Sequence, residues 1–316
     1  MRRGRWSPAV NDDYVRDIKY PAQAQLVLAH IPPDVDPLSI DVIPFLQERL
    51  ESSAKEGVHV KVVILCNPHN PIPRCHPRET IEGYISLARQ YDVHLIVDEV
   101  FAYSVFPTKD NPTSQEFISV LSLPSARQLD VVDRIHVLGG PTKDLGCSGL
   151  KAALLVRENT KLREHVKTSM MATPISGVTD ALLSELLGDE ARLSKLLEKS
   201  KRWLSRNMDL CARWARFHGL PYIGANAGVY FILDLSPIAL KFEQKLDDKG
   251  IKFLMERMIK QGVHINPTTL DADPLPCSFR FIFTQKWDTL KLALRRLEAA
   301  FELDACEVED HNEDQE

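Results

Sequence analysis

The sequence predicts an α/β fold: a mostly parallel sheet with helices on both faces, followed by a smaller α+β C-terminal domain. Three observations carry that prediction. Apolar runs at 62–66, 93–97 and 134–138 alternate with helical stretches, the order that builds a parallel sheet. Past Gly188 the texture changes to a long amphipathic helix rich in lysine and arginine, then short strands and helices. The final stretch, 304–316, has seven acidic side chains and no lysine or arginine, the composition of a disordered, solvated tail. The expected organisation is therefore 1–190, 191–303 and an acidic tail at 304–316.

The elements follow in chain order. Residues 26–30 form an apolar run that reads as a strand, ended by a turn rich in proline (Pro32, Pro33, Pro37). Residues 40–56 read as a helix stopped by Gly57, with Pro44 in the first turn, where the missing N–H costs nothing. After the strand at 62–66, a second helix spans 77–91. It starts on Pro77 and gathers Ile81, Tyr84, Ile85 and Ala88 on one face. The strand at 93–97 is followed by an irregular polar stretch, 108–124, that reads as a surface loop with one short helix. Strands at 134–138 and 152–156 flank a turn of small residues. A helix at 160–171 is broken by Pro174 and resumes over 177–187. In the second part, a helix over 191–218 ends at Gly219. A strand at 229–235, a helix at 250–261, short strands at 262–266 and 279–283 and a helix at 288–303 complete it.

Composition narrows the function classes. A chain of 316 residues, 44% apolar and 26% charged, is long enough to bury a large core shared by two domains. A formal charge of −5 gives no reason to expect a nucleic acid or an anionic membrane as partner. The six cysteines are scattered without a C-x-x-C pair, as reduced thiols of an intracellular protein would be. His69, His76 and His94 show no helical ligand spacing, so no metal is expected. No run of 18 apolar residues is present, and the basic start lacks the apolar core of a secretory signal, so the expected compartment is the cytoplasm.

The chemistry is concentrated where apolar strands end. The run at 62–66 leads into Asn-Pro-His-Asn-Pro at 67–71, the run at 93–97 into Asp98 and Glu99, and the run at 134–138 into a turn holding Lys143. The carboxyl edge of an α/β sheet is where such folds bind ligands. A lysine there is a candidate nucleophile if its amine is partly withdrawn from water. Asp98 follows an apolar run, and a shielded carboxylate needs a cationic or hydrogen-bonding partner. An amine, a carboxylate and an amide together suit a pyridine-aldehyde cofactor. The lysine forms the Schiff base, the carboxylate keeps the ring nitrogen protonated, and the Asn70 amide bonds the phenolate oxygen. Asp144 and Glu99, beside these residues, read as makers of local structural bonds.

Five motifs carry a family resemblance: Asn-Pro-His-Asn-Pro at 67–71, Asp-Glu-Val-Phe at 98–101, Thr-Lys-Asp-Leu-Gly at 142–146, Asn-Ala-Gly-Val-Tyr at 226–230 and Ser-Phe-Arg-Phe at 278–281. Over 14–301 the chain resembles the class I/II aminotransferases, pyridoxal-phosphate enzymes of fold type I, and within them the 1-aminocyclopropane-1-carboxylate synthase-like branch. The resemblance implies pyridoxal 5'-phosphate bound through Lys143, Asp98, Asn70, Thr142 and Lys151. It also implies a substrate α-carboxylate clamped by Arg280 with Asn226 nearby, a fork geometry that suits arginine. An amino-acid substrate and a homodimer are implied as well. The reaction implied first is transamination; a lyase reaction (carbon–sulfur cleavage or cyclisation) stands second, and a truncated non-catalytic paralogue third.

Departures from the family pattern bear on this. Phe101 stands where the family has a tyrosine, and it cannot hydrogen-bond the phenolate. Gly140 replaces a serine of the phosphate cup, and Lys151 replaces an arginine, keeping the charge without the fork. The stretch 14–20 resembles a segment that family members carry well inside the chain. The sequence therefore reads as lacking the amino-terminal third, with its phosphate-holding loop and the aromatic that stacks on the ring. Each lost charge-assisted contact to phosphate is worth about 1.5–3 kcal/mol. Impaired cofactor binding and poor solubility from uncovered apolar surface are the expected consequences.

Overall fold

A computed structural model describes residues 26–112, 115–268 and 276–307. Two four-stranded sheets organise it. The first contains β1 (Val62–Cys66), β2 (His94–Asp98), β3 (Ile135–Gly139) and β4 (Leu154–Arg157) in that spatial order. β1, β2 and β3 run parallel, and β4 returns antiparallel to β3. In register, Cys66 lies beside Asp98 and Asp98 beside Leu138, so the three parallel strands end at one edge.

Helices α1 (Ile43–Lys55) and α2 (Arg78–Gln90) cover one face of this sheet. The spacing of Ile81, Tyr84, Ile85 and Ala88 puts them on one side of α2. They are buried there against Leu65, Leu95, Val97, Ile135 and Val137. Each such aliphatic side chain gains about 1.5–3 kcal/mol on leaving water. The helix expected over 40–56 starts as a 3-10 turn, Ile40–Val42, with the Ser39 hydroxyl accepting from the Asp41 amide; α1 proper follows, with Pro44 in its first turn.

One expected strand is absent. Residues 26–30 are irregular, although Ala29 and the adjacent Ile31 are buried in the first core. Their apolar side chains dock by packing, and the Leu28 carbonyl is bonded by Arg49 Nε at 3.0 Å instead of by a neighbouring strand. The loop at 108–124 holds a 3-10 turn at Val120–Ser122, with another just beyond at Pro124–Arg127. Its anchor is Glu99, which accepts from Ser119 Oγ at 2.7 Å and from the Val120 amide at 2.8 Å.

Beyond β3 a one-turn helix α3 (Pro141–Asp144) precedes β4, then come α4 (Thr160–Ala172), α5 (Gly177–Leu187) and the 28-residue α6 (Glu190–Phe217). Asp189 caps α6 by accepting from the Arg192 amide at 2.9 Å, satisfying one orphan donor of its first turn. Large apolar side chains are exposed on β4, α4 and α5, among them Leu154, Met171, Val178 and Leu182.

The second sheet has the order β5 (Tyr222–Ile223), β6 (Tyr230–Asp234), β8 (Ser278–Ile282), β7 (Asn266–Pro267), all antiparallel. Helices α7 (Ser236–Lys241), α8 (Asp248–Lys260) and α9 (Trp287–Phe301), with the C-terminal half of α6, enclose a separate core around Trp214, Phe231, Phe279, Phe283 and Leu294. The strand expected over 262–266 is confined to Asn266–Pro267, since the Gly262 and Val263 amides close the end of α8 on Ile259 and Met258. Of the acidic tail, 308–316 lies outside the described residues, as does the stretch at 14–20. Cys306 is held: its amide donates to Glu298 Oε1 at 3.1 Å, an oxygen that also accepts from Trp214 Nε1 at 2.8 Å.

Candidate active site

The site is built where the parallel strands of the first sheet end against β6 and β8 of the second. β2 delivers Asp98, which is 5% exposed. Its Oδ1 accepts from the Val100 amide at 3.1 Å, and its carbonyl accepts from the Asn67 amide at 2.9 Å, joining the two strand ends. β1 delivers Asn70 on a loop with cis peptides at Asn67–Pro68 and Asn70–Pro71. That loop is tied internally by the Ile72 amide donating to His69 Nδ1 and by the Asn67 side chain, which accepts from the His76 amide at 2.9 Å.

β8 brings Arg280 to the same place across 210 residues of sequence: Nη1 donates to Asn70 Oδ1 at 3.2 Å. The guanidinium lies over the Tyr230 ring, 5.5 Å from its centroid. Tyr230 is buried and packs edge-on against Phe101 at 6.0 Å, while its hydroxyl donates to the His69 carbonyl at 3.2 Å. The chain of contacts ends at Lys143, whose Nζ sits 5.9 Å from the Phe101 ring centroid. Asn70, Arg280, Tyr230, Phe101 and Lys143 are thus contiguous. Asp98 belongs to the same neighbourhood. Burial, then the Cys66 thiol and the Asp98 charge push the Tyr230 phenol well up, with Arg280 opposing. Burial and Asp98 likewise push the Cys66 thiol up.

Lys143 itself is exposed. The sequence argument had its amine partly withdrawn from water. α3 is only four residues long, and Pro141 is its one buried residue. Thr142 and Lys151 meet through one residue: Thr142 Oγ1 donates to the Ala152 carbonyl at 3.4 Å, and Lys151, left-handed at φ 51°, immediately precedes Ala152. Gly140 fits tightly against the same strand start, since a Cβ there would meet the Ala152 carbonyl oxygen at 3.1 Å. A serine at 140 would press on backbone.

Asn226 is 3% exposed, and its Oδ1 has no hydrogen-bond partner. Leaving a buried polar atom unpaired costs about 1–3 kcal/mol, so this oxygen is suited to a donor arriving with a ligand. The donor set as a whole fits pyridoxal phosphate: a buried carboxylate at a strand end for a ring N–H, an asparagine amide beside an arginine, and an amine across one aromatic ring. Sequence reasoning overlooked Tyr230 as a working residue. It was quoted only as the last letter of a motif, although a tyrosine at the head of a buried, mostly apolar strand signals a hydroxyl needing a partner.

Comparison with known proteins decides the family. The model for aminotransferase class I and II matches residues 42–297, most of the chain. The protein belongs to the class I and II aminotransferases. That family depends on pyridoxal 5'-phosphate. Among curated proteins, a probable aminotransferase of Leptosphaeria maculans is 28% identical over 247 residues, 77% of this chain and 57% of that one. The 1-aminocyclopropane-1-carboxylate synthase CMW33 of Cucurbita maxima is 28% identical over 294 residues, 91% of this chain and 56% of that one. The chain therefore spans little more than half the length of these relatives. A solved aspartate aminotransferase variant of Thermus thermophilus shares the fold with a TM-score of 0.72 at 18% identity, over 95% of this chain and 71% of that one. Among the described residues, no helix of this class I and II member is long and apolar enough to cross a membrane, and no three metal-ligating side chains cluster.

Proposed function

We propose that the protein is a pyridoxal-phosphate-dependent aminotransferase acting on an α-amino acid as a homodimer in the cytoplasm. The observation that supports this most directly is the Arg280 Nη1–Asn70 Oδ1 contact at 3.2 Å. It places the only arginine of the Ser-Phe-Arg-Phe motif against the loop whose asparagine is the candidate cofactor ligand.

In this reading Asp98 would keep the ring nitrogen protonated, its burial limiting competition from water. Asn70, whose Oδ1 is engaged by Arg280, would have its Nδ2 left to donate to the phenolate oxygen. Thr142 Oγ1 and Lys151 Nζ would hold the phosphate, the latter as a point charge. Arg280 keeps further donors for a bidentate grip on the substrate carboxylate, and its guanidinium lies over the Tyr230 ring. Lys143 Nζ would hold the cofactor, and as a free amine it would be the base placed to take the proton from the substrate's α-carbon. Pyridoxal phosphate, when bound, supplies the electron sink for that carbon.

A lyase reading is favoured by one observation: several relatives, including the Cucurbita maxima protein and a human protein 28% identical over 280 residues, are named as 1-aminocyclopropane-1-carboxylate synthases or synthase-like proteins. Assays for amino-group transfer to a 2-oxo acid, against release of ammonia or a cyclic product, separate the two reactions. Both rest on Lys143. The purified protein with pyridoxal phosphate should absorb near the visible edge, and Lys143→Ala should lose that band. A colourless wild-type protein that also resists borohydride labelling at Lys143 would leave the non-catalytic reading standing.

A further inference from the structure

The residue after the candidate nucleophile has a role of its own. Asp144 closes α3, and both of its carboxylate oxygens are engaged outside that turn. Oδ1 accepts from Ser104 Oγ at 2.5 Å, and Oδ2 accepts from the Tyr103 amide at 3.1 Å. Ser104 is 3% exposed, in a strap that leaves the end of β2 and crosses to the second sheet. On its far side the strap is pinned again. The Ser104 carbonyl accepts from the Gly228 amide at 2.8 Å, Val105 bridges Ala227, and the Phe106 amide donates to the Asn226 carbonyl at 3.0 Å. Asn226 and Ala227 donate in turn to the Pro73 carbonyl, on the Asn70 loop.

We propose that Asp144 is a positioning residue: its carboxylate clamps the Lys143 turn to the 101–106 strap and so couples Lys143 to the Asn226 turn and the Arg280 side. The inference rests on the functional reading above for the identity of Lys143 as nucleophile, but not for the clamp. The physical grounds are two charge-assisted hydrogen bonds, which are about twice as strong as neutral ones. They link a one-turn helix, which is not held by either core, to a segment that is fixed at both ends. Lys201 on α6 also acts on the carboxylate. Burial pushes its carboxyl up to about 6, against the pull of Ser104, the strap amides and Lys201. That upward push is the cost of withdrawing a carboxylate from water to hold the strap.

The test uses the full chain with Asp144→Ala, Ser104→Ala and the double variant. Asp144→Asn serves as a smaller change that keeps an acceptor for Ser104. Hydrogen exchange is read at the Phe106 and Gly228 amides, which Asp144 does not touch, and borohydride trapping of pyridoxal phosphate is read at Lys143. Asp144→Ala should speed exchange at both amides at least ten-fold and slow trapping about ten-fold. The double variant should be no worse than Asp144→Ala alone, because the two groups act as one contact. Asp144→Asn should fall between. Unchanged exchange at Phe106 and Gly228 in a folded variant overturns the clamp; accelerated exchange with unchanged trapping overturns the positioning of Lys143. If wild-type Lys143 is not trapped at all, the functional reading fails, while the exchange data still decide whether the clamp exists.

Discussion

At the scale of single residues, the histidine pair on adjacent strands shows how burial sets a pH dependence. His94 Nδ1 lies 3.0 Å from His136 Nε2, and His136 is 4% exposed with Arg157 opposite it in register. Burial first, then His94 and Arg157, lower the His136 pKa to about 4. The folded protein therefore holds this imidazole neutral, while the unfolded chain takes up its proton near pH 6.5. Stability from this residue is complete above the unfolded value and is lost as pH falls toward 4. Across that window the slope is about 1.4 kcal/mol per pH unit. Urea melts of wild type and His136→Gln between pH 4.5 and 7.5 should show the variant losing that much of the slope. Equal slopes would mean that burial does not lower the His136 pKa. Glu99 and Asp144 work in the other direction, because burial raises both. Comparing the two proteins isolates the histidine from them.

At the scale of elements, the sequence was legible where packing has a period and illegible where a contact spans the chain. The strands at 62–66, 93–97 and 134–138 were visible because buried parallel strands are continuous apolar runs, and α2 because its apolar face repeats every third or fourth residue. The run at 26–30 misled for the same reason, since apolar residues that dock without pairing look like a strand. Asn70, Asp98 and Lys143 could be placed at strand ends from local pattern alone. Their link to Arg280 through Tyr230 could not, because nothing local fixes the register of β6 against β8. The start of α8 is a smaller case. The sequence reading began this helix at Gly250, as if the glycine were punctuation, but Gly250 lies inside the first turn, under the Asp247 cap. It is glycine for space: a Cβ would come within 1.9 Å of the Lys245 carbonyl oxygen. Gly250→Ala should therefore destabilise by about 1–3 kcal/mol through overpacking, despite alanine's better helix propensity. A thermal melt that shows the variant equal to or more stable than wild type would contradict that contact.

For the whole molecule, the question is whether the two sheets melt together. Each has its own apolar cluster, one around Leu65, Ile85 and Leu95, the other around Trp214, Phe231 and Phe279. Polar contacts join them, Arg280 to Asn70, Tyr230 to the His69 carbonyl and the strap amides, beside the edge-on packing of Phe101 on Tyr230. Hydrogen bonds of this kind contribute about 0.5–1.5 kcal/mol each, far less than the burial within either cluster. Units linked in this way move and unfold with some independence. The tryptophans make the difference measurable, because Trp203, Trp214 and Trp287 all lie on α6 or α9, and Trp214 and Trp287 pack in the second cluster. Among the described residues the first cluster has none. With Trp6, which lies outside the described residues, replaced by phenylalanine, tryptophan fluorescence should report the second unit, while far-UV circular dichroism reports both. Phe279, on β8, is fully buried in the second cluster, so Phe279→Ala should cost about 3–5 kcal/mol there. In urea the fluorescence midpoint should fall accordingly, while circular dichroism keeps a later phase at the wild-type position. If both probes shift together in Phe279→Ala, the polar seam carries enough energy to make one cooperative unit, and the site between the sheets is as rigid as either core.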